Sequence, residues 1–138
     1  MAFTEYAKTQ ILKELTGISG SAFDFTKMYL GLFSTVGTSY VELTSVTAPG
    51  YSRKLIGDPA YSAINLFPTP TSGSVTNNAD IMFGRATGTW PTVTAAGLFN
   101  NSSAGNNITQ DALSSSLSGI TTDWVVVIPA GSCTISFN

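Results

Sequence analysis

The chain has no histidine, one cysteine and few ionisable side chains. Each shortage removes a class of function. Histidine is the usual general base near neutral pH and the commonest nitrogen ligand for metals, so a histidine-dependent triad and a histidine-based metal centre are excluded. A single cysteine, Cys133, forms neither an intramolecular disulfide nor a thiolate zinc cluster. It lies on an alternating segment and reads as a buried, inert thiol. Six Lys and Arg against eight Asp and Glu leave a net charge of -2, and the dispersed bases give no electrostatic footprint for nucleic acid. No apolar run is long enough to cross a membrane as a helix. The opening MAFTEYAKTQILKEL carries acids and lysines through its apolar positions and is not expected to act as a secretory leader. No internal repeat is present.

Eight carboxylates leave a glycosidase-type pair as the one acid–base system with enough members. Asp111 with Asp123, or Asp58 with Asp80, can be drawn together by folding, but spacing selects neither pair. Turn chemistry is the simpler role for such residues. Gly20-Ser21 and Gly73-Ser74 do not complete a nucleophile elbow. Asp58-Pro59 and Asn77-Asn78-Ala79-Asp80 lack the alternating acids of a calcium loop. The expectation is therefore no catalysis, no cofactor and no metal.

Charged residues make up 10% of the chain, against roughly 25% in an ordinary globular protein. Serine and threonine supply about a quarter of it. Hydroxyls and amides cost less to desolvate than ions, so such a surface suits permanent assembly. The 138 residues fit a single domain spanning 1–138.

One helix is predicted over 4–16. Phe3, Ala7, Ile11 and Leu15 recur at four-residue spacing with Leu12 beside them. Thr4 caps the start, Glu5 suits the positive end, and Gly17 stops it. This stripe either packs on its own sheet or docks on a neighbouring subunit, which makes Phe3, Ala7, Ile11 and Leu15 the candidate assembly interface. Strands are predicted at 27–33, 51–56, 74–77, 81–83, 92–99, 122–128 and 133–137. Residues 34–50, 57–74 and 100–119 read as turn-rich surface, with Pro59, Pro68 and Pro70 breaking the middle stretch. Thr122–Ile128 is nearly continuously apolar and is expected to be buried on both faces, with Trp124 in the core. It is expected to form a closing hairpin with 133–137 across Pro129–Ser132. The fold class is mainly β: an antiparallel β-sandwich, jelly-roll or immunoglobulin-like, with one short N-terminal helix.

The order of these segments carries a resemblance. AKTQILKELTG is followed by Tyr29-Leu30-Gly31-Leu32-Phe33, an isolated acid at Glu42, and Gly50-Tyr51-Ser52-Arg53-Lys54-Leu55-Ile56. Then come Asn78-Ala79-Asp80-Ile81-Met82-Phe83, Ala86-Thr87, the Trp90–Phe99 segment WPTVTAAGLF and the closing IPAGSCTISF at 128–137. From residue 5 to 137 the chain resembles small structural proteins of tailed bacteriophages, the tail-fibre or minor virion proteins. It departs from them at NNSSAGNN after Phe99, at Ser132 where an acid is common, and in the proline-rich 57–74 stretch. The resemblance implies a non-catalytic virion subunit, on the tail fibre or baseplate or as a capsid decoration protein. It would be assembled in the host cytoplasm and would contact other virion proteins and copies of itself. It brings no catalytic residues.

The competing expectation is a carbohydrate-binding or receptor-recognition module. Its platform would be exposed aromatics, for which Tyr40, Tyr61 and Trp90 are the ligand-facing candidates, with Tyr51 and Trp124 also available. A host-surface glycan would then be the partner. The alternative for these rings is a place in the core.

Overall fold

The computed structural model describes residues 2–17, 27–58, 60 and 65–136. It is mainly β, with antiparallel sheets and one short helix. The elements are β1 (Ala2–Phe3), α1 (Glu5–Thr16), β2 (Met28–Val36), β3 (Ser39–Glu42), β4 (Lys54–Gly57), β5 (Ser74–Thr76), β6 (Ile81–Met82), β7 (Val93–Phe99), β8 (Asn107–Leu117), β9 (Val127–Ile128) and β10 (Thr134–Ser136).

The helix begins where its capping residue predicts. The Thr4 hydroxyl accepts from the Ala7 amide at 3.3 Å and donates to the Asn107 carbonyl at 2.7 Å, so the cap also ties α1 to β8. Gly17, at φ 67°, ends it. The apolar stripe divides in two. Ala7 is buried in the core and Phe3 and Ile11 are half-buried, whereas Leu12 and Leu15 are 61% and 78% exposed.

β2 and β7 are the centre of a six-stranded sheet in the order β1-β8-β7-β2-β3, with β4 also paired to β2. Alternation along these strands separates two faces. Leu30, Leu32, Ala96 and Leu98 point inward, toward Ile81, Phe83, Trp90, Val93, Ile120 and Val126. Across from them lie two small ribbons, β5 with β10 and β6 with β9. On the outer face Phe33 and Phe99 stack at 5.7 Å between ring centroids, with Ala95 and Tyr29 beside them. Two paired glycines make room for the rings. A Cβ at Gly31 would meet the Phe99 ring at 2.6 Å, and one at Gly97 would meet the Thr109 carbonyl oxygen at 2.5 Å and the Phe33 ring at 3.0 Å. Since backbone cannot swing aside, Gly97→Ala is expected to destabilise the chain by about 1–3 kcal/mol, read as a lower urea midpoint at unchanged slope.

Four local expectations are corrected. Residues 34–50 are no long excursion. β2 runs on to Val36 and turns through Gly37 (φ 63°) and Thr38 into β3, a two-residue hairpin with glycine at its first position. Residues 107–117, read as loop, form the eleven-residue strand β8. Hydroxyls and one Asp hide its alternation, because it packs one face only along its first half. β5 joins β10, and β6 joins β9. The same pairings rule out the closing hairpin between 122–128 and 133–137. Nor is 122–128 buried on both faces. Only Val127 and Ile128 form a strand, Val126 alone is buried, and Trp124 is 56% exposed. Backbone bonds from Phe83 N–H to the Val126 carbonyl, from Ala86 N–H to the Trp124 carbonyl and from Asp123 N–H to the Ala86 carbonyl hold this run on the side of the 83–86 segment.

Candidate functional site

β2 is longer than either strand beside it on one edge. β3 takes Phe33–Val36 and β4 takes Met28–Leu30. The Leu32 amide falls in the gap, where no strand reaches it. The Tyr51 hydroxyl fills that gap, accepting from Leu32 N–H at 2.9 Å. It donates in turn to the Glu42 carboxylate at 3.2 Å. Arg53 grips the same carboxylate with two bonds, Nε to Oε1 at 2.6 Å and Nη2 to Oε2 at 2.7 Å. Its remaining nitrogen, Nη1, donates to the carbonyls of Asn101 at 2.8 Å and Ala104 at 2.6 Å. The guanidinium lies 3.5 Å from the Phe99 ring centroid.

This clamp joins three chain segments through one ion pair. Its Arg53 side chain is only 7% exposed, so water screens it weakly. Burial pushes the Tyr51 hydroxyl above its ordinary 10.0, and the nearby Glu42 charge adds to the shift. The protonated form therefore belongs to the folded state. Its stabilisation is complete below pH 10.0 and is lost as the pH climbs further, where the unfolded chain ionises first. Tyr51→Phe is expected to cost about 1–3 kcal/mol at neutral pH by stranding the Leu32 amide. It should also flatten the alkaline fall in stability, measured by chemical denaturation across the range.

The clamp has no spare valence for chemistry, since every group in it already has a partner. The four aspartates of the candidate pairs are likewise engaged locally. Asp58 accepts from the Ala60 amide and pairs with Lys27 at 3.4 Å, Asp80 accepts from the Ala130 amide, and Asp123 faces Arg85 at 3.3 Å. Asp111 accepts from the Ala112 amide. Among the described residues no group of three or more Cys, Asp or Glu is arranged to hold a metal ion. Burial raises the Cys133 thiol pKa, which suits an unreactive role.

The aromatic candidates separate. Trp90 is buried; its indole N–H donates to the Pro49 carbonyl at 2.8 Å and its ring meets Tyr51 edge-on. As it stands it offers no face to a ligand. Tyr40 is exposed on β3, and Tyr61 lies outside the described residues. Trp124, expected in the core, is the exposed indole instead. The structure also opens a groove of about 450 Å³ between β8 and the β9–β10 segment, walled by Leu113, Leu117, Val127 and Ile128. Sequence reading missed this groove because it treated 100–119 as loop.

The clamp residues Glu42, Tyr51 and Arg53 come from the isolated acid and the Gly-Tyr-x-Arg step singled out in the sequence. The family model described as Podophage GP4 fiber I protein gp80 matches residues 2–136. The chain belongs to this family. The match runs from β1 to β10 and so takes in the whole described scaffold of this fibre-family protein, the clamp included. No curated protein matches the chain.

Proposed function

We propose that this fibre-family chain is a non-catalytic structural subunit of the phage particle, held by contacts with other virion proteins and with copies of itself. The observation that carries the reading is the family match over residues 2–136. The chemistry of the described residues supports it. The described acids serve turns and ion pairs, and the most elaborate polar cluster is spent on joining strands. Large apolar side chains remain at the surface, including Met82 at 52%, Trp124 at 56% and Val46 at 87% exposed. In a sparsely charged protein such residues are natural material for protein contacts.

Particles produced with this gene interrupted should lack the chain by mass spectrometry and should show missing or shortened fibres by negative-stain microscopy. Intact fibres without the chain would overturn the reading.

The helix stripe is a proposed docking element through its exposed end alone. Deleting residues 1–17 would strip β1 from β8 and Ala7 from the core, so it tests folding more than docking. Leu12→Ser with Leu15→Ser leaves those contacts in place and should lower incorporation into particles. Unchanged incorporation would remove the helix from the interface.

A further inference from the structure

Among the described residues, two of the apolar features open at the surface differ in shape. The first is a finger. Beyond the last β2–β7 pair, Phe33 with Ala95, β2 and β3 continue as a two-stranded hairpin. Its residues 34–41, Ser-Thr-Val-Gly-Thr-Ser-Tyr-Val, carry no charge. The register sets Val36 opposite Ser39 and Val41 opposite Ser34, so both valines share one face. They are 62% and 47% exposed. The second feature is the groove of about 450 Å³ beside β8. Among the described residues, Asp111 is the one carboxylate on its lining and no Lys or Arg lines it. Among the described residues, β8 pairs on its outer side with β1 at Thr109 and Gln110, and β9 pairs with β6. Past Asp111, the outer edge of β8 from Ala112 to Leu117 and the far edge of β9 have no strand partner among the described residues.

We propose that the β2–β3 finger of one copy seats in the β8–β9 groove of a second copy, joining fibre subunits head to tail. The inference rests on the structural-subunit reading. Three observations select this occupant. A neutral finger brings no charge of its own into a groove whose described lining carries a single one, Asp111, so little ionic hydration is lost. A hairpin brings free strand edges, so backbone groups can pair with the open edges of β8 and β9. Another exposed apolar knob, the end of α1, carries Lys13 between Leu12 and Leu15, and a helix has no free backbone bonds to offer those edges. Finger and groove are different surfaces, so the contact is heterologous: copies close into a ring or extend as a filament. Each subunit then takes part in two contacts, one through each surface.

The test uses the full chain in sedimentation velocity over a wide concentration range. Wild type is expected to associate. Val41→Lys, which spoils the finger, and Val127→Lys, which spoils the groove, should each be monomeric. Mixed in equal amounts, they should form dimers and nothing larger, because one intact finger meets one intact groove. If either variant misfolds by circular dichroism, Val36→Lys and Leu117→Lys probe the same two surfaces. Variants that associate like wild type, a mixture that stays monomeric, or a wild type that is monomeric throughout would overturn the pairing. The structural-subunit reading fails on a different result, intact fibres in particles that lack the chain.

Discussion

Replacing Arg53 with alanine is expected to lower stability by about 3–5 kcal/mol, the cost of breaking a buried ion pair by removing one partner. The Glu42 carboxylate would keep only the Tyr51 hydroxyl of its three present donors. The Asn101 and Ala104 carbonyls would lose the guanidinium that holds them, and Phe99 would lose its cover. Arg53→Lys should recover only part of the loss. An ammonium keeps the charge but cannot make the two-pronged contact with Glu42 and also reach the 100–106 turn. Urea denaturation of wild type, Arg53→Ala and Arg53→Lys checks the order. If lysine equals arginine, the stabilisation is simple charge pairing rather than the fork geometry.

A second large effect is expected at Asn77, which is fully buried. Its Nδ2 donates to the Ala79 and Pro129 carbonyls, both at 2.9 Å, and its Oδ1 accepts from the Cys133 amide at 2.8 Å. Its backbone amide and carbonyl bond Cys133 and Gly131. One side chain thus fixes the end of β5 against the turn that leads into β10. Asn77→Ala leaves three polar groups without that partner and should cost about 3 kcal/mol, given roughly 1 kcal/mol or more for each stranded group. Because these bonds serve one ribbon, hydrogen exchange should accelerate first in β5 and β10, with β2 and β7 keeping their protection. Uniform acceleration across both layers would mean that the ribbon and the large sheet unfold together.

Neither site stood out as a cluster in the sequence. Glu42, Tyr51 and Arg53 were noticed as parts of a recurring order, yet nothing in their spacing said that one carboxylate would take both partners. That arrangement depends on β3 and β4 sharing one edge of β2, a long-range fact. In the sequence Asn77 is only the first member of an Asn-rich run, Asn77 to Asp80, that falls short of a calcium loop. Its use is instead to satisfy buried backbone groups on a segment more than fifty positions away.

Where local chemistry decides, the residues were sufficient. The span of α1 follows from Thr4, the apolar spacing and Gly17. The cores of β2 and β7 follow from apolar, β-prone runs bounded by turn residues. The mainly β class and the shortage of groups for proton or metal chemistry follow from composition. What the tertiary structure alone decided is which strand pairs with which, and therefore which face of each apolar run is covered. Val126 and Trp124 show the difference. Both belong to one hydrophobic stretch, and one is buried while the other faces outward, because a second layer lies on only one side of it. Periodicity records that a side chain can be buried; only the packing partner, supplied from far along the chain, determines whether it is.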